Sequence, residues 1–415
     1  MTVNIGLVSQ LSRKICWTFV FLLSAHAAMA APTLQAPPGL RIAVWAEVPN
    51  ARSLTLGAQG TVFVGTRTDG RVFALRDVDG DGRAERRWTL LKGLDMPNGV
   101  AFRDGALYVA ESGAVWRLED IEQRLDAPPS PELVRKLEAY RHHGWRYIAF
   151  GPDDRLYVSL GAPCNVCDPG DRGAIWRMRP DGSDFEPYAL GVRNSVGLTF
   201  APDSGELWFT DNGRDWLGDD LPPDELNHAD AAGQHFGFPY CHGGDVADPD
   251  YGHERDCSEF VPPVQRLGAH VAALGLRFYN GTQLPAGLRG QLLIAEHGSW
   301  NRSSPVGYRV SRVRLENGKA VDYAPLVSGW LGADGQVLGR PVDLLQLPDG
   351  SLLISDDAGG RIWRLSAGGG LTGPYSRPKS TRSSWRRSCS EALRRAASTA
   401  CTRRACSCSS WPPCR

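Results

Sequence analysis

Short runs in which apolar and polar residues alternate recur along most of the chain, and each run ends in a turn built from Gly, Asp or Pro. Because successive side chains of a strand point to opposite faces, this period of two predicts half-buried β-strands. One pattern is repeated: two strands joined by a tight turn, then a strand that ends in an aromatic-Arg or Phe-Ala-Leu segment. The copies begin at six positions: Ser53, Asn98, Tyr147, Val196, Gly275 and Val342.

Repeats of this size cannot bury their apolar faces alone and must stack on one another. The chain is therefore predicted to be all-β and to form a six-bladed β-propeller over residues 31–366. An additional strand, Gly39–Asn50, precedes the first copy, and we expect it to complete the last blade and close the ring without an exposed edge. Only Ser130–Tyr140 carries helix signals, with Ser130 as N-cap and Pro131 at the first helical position, so a helix is predicted there.

Both ends of the chain differ from the repeats. Residues 1–30 contain Arg13 and Lys14, an apolar run and the small residues Ala28 and Ala30, which predicts a secretory signal peptide cleaved after Ala30. The apolar run is too short to span a bilayer, so we expect an exported protein, periplasmic or secreted, with no membrane span. Residues 367–415 are rich in Arg, Ser and Cys and are predicted to be a disordered tail without function; a nucleic-acid arm or a metal-binding tail is the alternative.

The formal net charge of zero hides an uneven distribution of charge. Most of the excess basic residues lie in the two ends, and residues 31–376 carry 34 basic and 45 acidic side chains. An acidic body argues against nucleic acid and against an anionic membrane surface as partners.

Four of the ten cysteines lie in the body of the chain. Export makes disulfides the expected state, and the pairs nearest in sequence are Cys164 with Cys167 and Cys241 with Cys257. Zinc binding is the alternative, but the spacing matches no zinc module.

Loops at one end of a propeller converge on its central channel, so a site is assembled from one or two residues of each blade. Asn98, the pair Arg193-Asn194 and Arg340 each stand just before the first strand of a copy, and we expect them to face the same mouth. The other polar candidates in loops are His142, His143, the segment Asp211–Asp215, His270, His297, Trp300 and Arg302. Taken singly, each could instead have a structural role, such as bracing a loop or holding a turn.

The chemistry of this set favours a redox reaction. A histidine that takes a proton, arginines that hold a developing negative charge and loop carbonyls that hold a hard cation suit the oxidation of an alcohol. No amino-acid side chain accepts a hydride, so an external electron sink is required.

Several segments resemble one known family. "HHGWRYIAFGPDDRLYV", "GVRNSVGLTFAPDSGELWFTDNG", "DELNHADAAGQHFGFPY" and "GRPVDLLQLPDGSLLISDDAGGRIWRL" are similar to the soluble pyrroloquinoline quinone (PQQ) dehydrogenases of the glucose/sorbosone type. The resemblance covers Pro38–Ser366, and "GAPCNVC" and "AEHGSWNRS" place it nearer the L-sorbosone dehydrogenase-like branch. It implies oxidation of an aldose or a sorbosone-like sugar aldehyde, with PQQ and Ca²⁺ as cofactors and an external electron acceptor as partner.

The resemblance also implies roles for individual residues. His143 would be the general base, and Arg193 would stabilise the quinone oxygen as it becomes anionic. The carbonyls of Gly213 and Arg214 would bind calcium. The residues expected to contact PQQ are Asn98, Arg193, Asn194, His270, Arg302, which would replace the family's lysine, and Arg340.

This sequence departs from the family at two positions. The glucose dehydrogenases have an Asp before the base and another Asp that orients it, and here these positions are His142 and Ala162. Another group must therefore orient His143, or the activity differs. A ligand-binding propeller without catalysis and a calcium-dependent lactone hydrolase remain alternatives.

The segment "DVDGDGRAE" (residues 77–85) contains a second possible metal site. Asp77, Asp79 and Asp81 have the spacing of a calcium loop, but Trp88 stands where an EF-hand has its bidentate Glu. A solvated turn and a weak structural calcium site are both consistent with this segment.

Overall fold

The computed structural model describes residues 32–368. These residues form 27 β-strands and three short 3₁₀ segments (Ile121–Gln123, Cys257–Glu259 and Ala286–Leu288), with no α-helix among them. Six sheets of four or five strands follow one another along the chain and form the blades of a β-propeller. The predicted all-β, six-bladed architecture is confirmed. The predicted signal peptide and almost all of the predicted tail lie outside the described residues.

Four strands of each blade pair antiparallel in one sheet. The first strand of the structure is β1 (Leu40–Glu47). Blade 1 comprises β2 (Ala51–Leu56), β3 (Val62–Thr66), β4 (Val72–Arg76) and β5 (Arg86–Leu91). Blade 2 comprises β6 (Gly99–Arg103), β7 (Ala106–Glu111), β8 (Ala114–Leu118) and β9 (Glu132–Lys136). Blade 3 comprises β10 (Ile148–Phe150), β11 (Leu156–Leu160), β12 (Ala174–Met178) and β13 (Glu186–Leu190).

The second half of the ring carries longer connections. Blade 4 comprises β14 (Leu198–Phe200), β15 (Leu207–Asp211), β16 (Pro223–Ala229) and β20 (Gln265–Ala269). Between its last two strands lie β17 (Gln234–His235), which adds to blade 3 in parallel with β13, and the hairpin β18 (Cys241–His242) and β19 (Val246–Ala247). Blade 5 comprises β21 (Ala273–Phe278), β22 (Leu292–Glu296), β23 (Arg309–Glu316) and β24 (Lys319–Val327). Blade 6 comprises β25 (Pro341–Gln346), β26 (Leu352–Asp356) and β27 (Arg361–Ala367).

The ring is closed by β1. It pairs antiparallel with β27, with Leu40 opposite Ala367 and Glu47 opposite Arg361, and so becomes the fourth strand of blade 6. This confirms the predicted role of the strand before the first repeat. Without it, β27 would present a row of unpaired backbone groups at its edge.

The prediction of a helix at Ser130–Tyr140 is wrong. Glu132–Lys136 is β9, which pairs with β8 and places Leu133 opposite Trp116. Val134 packs against the apolar cluster between blades 2 and 3, whereas Leu133 is 46% exposed. The segment alternates well enough to serve as a strand, and the free edge of β8 supplies backbone partners that outweigh local helix signals.

Apolar side chains fill the space between neighbouring blades in six clusters, one for each interface around the ring. A seventh, small cluster of Val196, Leu274 and Val342 joins the first strands of blades 4, 5 and 6 near the channel, with Trp145 packed against it. Each blade therefore buries its apolar faces against its two neighbours, because a single repeat could not bury them alone.

The disulfides expected in the body of the chain are present, and they join the cysteines that are nearest in sequence. Cys164 is bonded to Cys167 in the loop between β11 and β12, and Cys241 is bonded to Cys257. Across residues 32–368 there is no helix that is long and apolar enough to cross a membrane.

A buried carboxyl group links three blades at the channel. Asp343 of β25 accepts the Leu54 N–H of blade 1 at 2.8 Å and the Leu344 N–H at 2.8 Å, and the Tyr147 hydroxyl before blade 3 donates to it at 3.2 Å. The side chain is fully buried, and this burial raises the pKa of Asp343 to about 6. The carboxyl is thus easier to accommodate protonated than ionised.

Asp343→Asn should flatten the pH dependence of stability. Because the folded pKa lies above the unfolded value of about 3.9, the contribution of Asp343 is fully present below pH 4 and is lost as the pH rises through 6. The free energy of unfolding of the wild type relative to the variant should therefore fall by up to about 3 kcal/mol between pH 4 and pH 8. Denaturant titrations across this range measure the difference.

Asp349→Asn is the matched control within blade 6, because the Ser351 hydroxyl and N–H and the Arg364 guanidinium lower the pKa of Asp349 despite its partial burial. Its effect should be constant between pH 5 and pH 8. Parallel curves for the wild type and Asp343→Asn would contradict the expectation.

Candidate functional site

One mouth of the channel opens into a cavity of about 570 Å³. Its wall comes from the loops that precede the first strands and follow the second strands of several blades. Among the predicted site residues, the structure brings six to the lining: His143, Arg193, Asn194, Gly213, His270 and Arg340. Asn98, Arg214 and Arg302 are not part of it.

His143 is buried in this wall, and its backbone is held in the left-handed region with φ 53°. Its Nδ1 lies 2.9 Å from the carbonyl oxygen of Ala162. A carbonyl oxygen can only accept, so Nδ1 carries the proton and Nε2 is left as a proton acceptor. A Cβ at Gly161 would lie 2.7 Å from the His143 Cβ, so glycine is needed for the imidazole to reach this carbonyl.

The backbone therefore supplies the orienting group that the sequence lacks at this position. The residue is Ala162, but its carbonyl takes the place of a carboxylate, and the Ala162 N–H in turn donates to the Arg193 carbonyl at 2.8 Å. Burial, with smaller contributions from the positive charge of Arg193 and from His142, holds the pKa of His143 well below its ordinary value. A neutral imidazole with a free Nε2 is the form that a general base requires.

His142 lies beside it with ring centroids 4.1 Å apart, but His142 is exposed. Partial burial, followed by the charge of Arg193, lowers the pKa of His142. Two neutral imidazoles can lie this close without charge repulsion.

Arg193 is buried and held from several directions. Its Nε donates to the Asn165 carbonyl at 2.8 Å, Nη2 donates to Asn165 Oδ1 at 2.7 Å, and Nη1 donates to the Asn212 carbonyl at 3.0 Å. Asp215 completes the set with an ion pair at 3.2 Å. Asn165 lies between Cys164 and Cys167, so the disulfide loop constrains the residue that positions the guanidinium.

Carboxylates at the ends of second strands fix the loops that precede the first strands. In blade 4, Asp211 accepts the N–H groups of Arg193 and Asn194 at 2.7 and 2.6 Å. In blade 6, Asp356 accepts the Arg340 N–H at 2.8 Å. This repeated contact explains why residues at equivalent sequence positions reach the same mouth.

The lining is strongly basic. It contains two carboxylates, Asp215 and Asp224, and the arginines Arg52, Arg67, Arg141, Arg193 and Arg340. The Arg340 guanidinium donates to the Gly298 and Ser299 carbonyls and lies over the Tyr308 ring. Arg67 lies over the Trp145 ring, 4.9 Å from its centroid, and Arg141 is exposed. Within residues 32–368, Arg67, Arg141 and Arg340 form no ion pair, so their charge is available to an anion.

Asn98 lies below the lining and is fully buried. It accepts from Arg52 Nε at 2.8 Å and donates to the Arg146 carbonyl at 3.0 Å. Arg52 also pairs with Asp357 at 3.0 Å, and Asp357 binds His297 Nε2 at 2.8 Å. Asn98 thus supports Arg52 and does not itself reach the cavity in this conformation.

Arg302 and His270 anchor a loop of the rim. Arg302 Nη2 donates to Asp220 at 3.0 Å, and His270 Nε2 contacts the Gly218 carbonyl at 2.8 Å. His270 is part of the lining, whereas Arg302 is engaged outside it.

Gly213 and Arg214 follow β15 at the cavity. The Gly213 N–H donates to Asp224 Oδ1 at 2.8 Å, and the Arg214 guanidinium pairs with Asp248 at 2.6 Å. No backbone N–H within residues 32–368 donates to the carbonyl oxygen of either residue. Asp224 is buried, accepts the Ala272 N–H at 2.6 Å, and has a pKa raised to about 6 by burial. Two carbonyls beside a buried carboxyl are ligand types that suit calcium.

The sequence interpretation missed Arg52, Arg67, Asn165 and Asp224. Arg52 lies near the start of β2 and Arg67 directly follows β3, so both stand at one end of the first hairpin of blade 1, a register that the repeat could have revealed. Asn165 carries no comparable signal, because its role depends on contacts with Arg193 and Asp215 from other loops. The Asp77–Asp81 loop is exposed at Asp79 and Asp81, a placement that fits both the solvated turn and the calcium site.

The fold and the lining define a six-bladed propeller with a basic cavity at one end of its channel. The chain belongs to the family whose model is described as "Domain of unknown function (DUF7133)", which matches residues 48–357. An uncharacterized protein of Borreliella burgdorferi is 33% identical over 371 residues, which are 84% of this chain and 95% of the relative.

Solved structures with the same fold include sugar dehydrogenases. A Trichoderma reesei protein of Carbohydrate-Active Enzymes Family AA12 is 22% identical, with a TM-score of 0.71 over 81% of this chain and 98% of that one. The PQQ domain of pyranose dehydrogenase from Coprinopsis cinerea, in its holo form, is 18% identical, with a TM-score of 0.69 over 81% and 97%. The PQQ-bound aldose sugar dehydrogenase of Streptomyces coelicolor is 20% identical, with a TM-score of 0.59 over 80% and 99%. At these identities the likeness establishes the fold.

The protonation state of His143 is directly measurable. Because burial and the positive charge of Arg193 disfavour the imidazolium, we expect ¹⁵N-resolved NMR of the histidine side chains to show His143 neutral, with Nδ1 protonated, from pH 8 down to pH 6. His143→Gln assigns the resonance. A titration midpoint at or above 6.5, or a proton on Nε2, would contradict the geometry.

Proposed function

We propose that this chain is a PQQ-dependent sugar dehydrogenase that oxidises an aldose or a sorbosone-like sugar aldehyde in its hydrated form. The proposal is carried by one observation: a buried histidine whose Nδ1 is held by the Ala162 carbonyl lines the same cavity as Arg67, Arg141 and Arg340, which form no ion pair within residues 32–368. The likeness of the fold to PQQ-bound sugar dehydrogenases supports it.

The residues of the cavity fit the proposed cofactor. PQQ is a tricarboxylate, and Arg67, Arg141 and Arg340 offer three guanidinium groups that lack an ion pair in the described part of the chain. A volume of about 570 Å³ falls within the range of sites for ligands of this size. When bound, PQQ would supply the two-electron acceptor that the side chains lack.

The proposed calcium ligands are the carbonyls of Gly213 and Arg214. The buried Asp224 beside Gly213 would add negative charge, and a cation there would favour its ionised form. We expect calcium to bind more weakly below pH 6 for this reason.

The chain's own residues would do the acid-base work. His143 Nε2 would take the proton of the hydroxyl group at the carbon to be oxidised, while the Ala162 carbonyl holds Nδ1 and stabilises the imidazolium that forms. Arg193, fixed by Asn165, Asn212 and Asp215, would hold positive charge near the oxygen that becomes negative. Electrons would pass from the site to an external acceptor.

The proposed location of this activity is the periplasm or the exterior of the cell, on the basis of the sequence of residues 1–30. Two disulfides in the described part of the chain are consistent with an oxidising compartment.

The direct test adds PQQ and calcium to the purified protein and follows cofactor absorbance and dye reduction with a panel of aldoses and sorbosone. We expect stoichiometric PQQ binding, dye reduction with at least one sugar, and weaker PQQ binding by Arg340→Gln. His143→Ala should retain PQQ and lose about 10²- to 10⁴-fold in kcat, the usual contribution of a positioned base.

His253→Ala, at an exposed histidine outside the lining, is the matched control. Absence of PQQ binding would overturn the dehydrogenase proposal, and hydrolysis of a lactone with calcium alone would replace it. Full turnover by His143→Ala would remove His143 as the base.

A further inference from the structure

Two tryptophans stand exposed at the rim of the cavity. Trp216 is 69% exposed and Trp300 is 65% exposed, and Trp300 is also part of the cavity lining. Their rings meet edge to face, with centroids 5.3 Å apart and planes at 89°. An exposed apolar patch of a few hundred Å² is often functional.

The pair is held in place by the loops that carry it. The Trp216 loop follows β15 and the Trp300 loop follows β22, and Asn301 Nδ2 donates to Asp215 Oδ1 at 2.9 Å. The Ser303 N–H donates to Asp219 at 3.0 Å, and Arg302 bonds to the same stretch. The indoles are therefore presented by two loops that are bonded to each other.

The backbone of Trp216 adds an independent observation. Its φ is +73°, in the left-handed region, which is costly for a bulky side chain. Glycine would adopt this conformation without cost, yet an exposed tryptophan occupies it. Such strain is retained where the direction of a side chain matters, as at ligand-binding sites.

We infer that Trp216 and Trp300 form an outer subsite that stacks the second pyranose ring of an oligosaccharide whose reducing end enters the cavity. The inference rests on the proposed function and names its substrate class. The apolar C–H face of a pyranose ring packs flat on an indole, and the edge-to-face pair offers two such walls at a right angle.

The size and position of the pair favour a sugar over a protein partner. Two tryptophans expose at most roughly 300 to 400 Å², about half of what each partner of a specific protein complex buries. Trp300 is shared between the pair and the cavity, so a ligand on the pair is continuous with a ligand at His143. Asn301, the residue after Trp300, also lines the cavity.

Binding is tested without turnover. Maltotriitol and cellotriitol keep two pyranose rings but lack the aldehyde that would react, and sorbitol has no ring. We expect at least one trisaccharide alcohol to change the indole fluorescence of the purified protein with a Kd at least tenfold below that of sorbitol. Trp216→Ala should raise this Kd at least tenfold, and Trp216→Phe should restore part of the affinity.

Two further variants separate binding from folding. Trp216→Gly removes the indole and the backbone strain, so it should bind as weakly as Trp216→Ala while melting at a higher temperature. Leu133→Ala shortens another exposed apolar residue, on β9, and should leave the Kd unchanged. Equal affinity for sorbitol and both trisaccharide alcohols, or wild-type affinity in Trp216→Ala, would overturn the inference.

Kinetics of the PQQ-loaded protein provide the second measurement. The ratio of kcat/KM for a disaccharide to that for its monosaccharide should exceed ten in the wild type for one linkage and fall near one in Trp216→Ala. Turnover with a ratio near one would overturn the subsite and leave the proposed function intact.

Trp216→Ala could instead slow the reduction of a haem-protein acceptor and leave the ratio of kcat/KM for the two sugars unchanged. That result would overturn the subsite in favour of a role of Trp216 in docking a protein. If PQQ does not bind but the trisaccharide alcohol still does through Trp216, the proposed function fails and the subsite stands.

Discussion

The site depends on buried carboxylates at the ends of second strands. Asp211 and Asp356 each accept the backbone N–H of a loop that precedes the first strand of the same blade. Burial raises the pKa of both carboxyls, so these contacts are made at a cost in solvation. The cost is offset because each carboxyl accepts hydrogen bonds from backbone N–H groups that would otherwise lack a partner in the loop. This arrangement fixes the positions of Arg193, Asn194 and Arg340.

Much of the fold could be predicted from the sequence because a propeller repeats one local pattern. Alternation identifies the strands, the turn residues identify their order, and the repeat number identifies the ring. The position of β1 followed from the need to cover the edge of β27, a constraint that holds for any open ring. The prediction of a helix at Ser130–Tyr140 failed because helix signals are local, whereas β9 forms because the edge of β8 lies beside it and supplies backbone partners. A single segment cannot reveal which neighbour it will meet.

The site was partly predictable for the same reason. Residues at equivalent positions in the repeat could be placed at one mouth, and the structure brings six of the nine predicted residues to the lining. Side chains that act through contacts between blades left no such signal. Asn98 has the expected position in the repeat, but its side-chain oxygen accepts a hydrogen bond from Arg52 and does not face the cavity. Asn165 has no counterpart in the other repeats, yet its backbone carbonyl and its side-chain oxygen both accept hydrogen bonds from Arg193. Which polar group faces the cavity is decided by packing across loops.

The basic lining also bears on stability. Burial removes the guanidinium groups of Arg52 and Arg193 from water and lowers their pKa. Burial, followed by the charge of Arg193, also lowers the pKa of His143. Repulsion of this kind is the cost of an anion site in the absence of its anion, and a bound carboxylate ligand relieves it. Burial is the main reason that His143 is neutral, and the charge of Arg193, which would face the oxygen that becomes negative, adds to it. Because the rest of the body is acidic, a cavity lined by arginines would attract anionic ligands to this mouth.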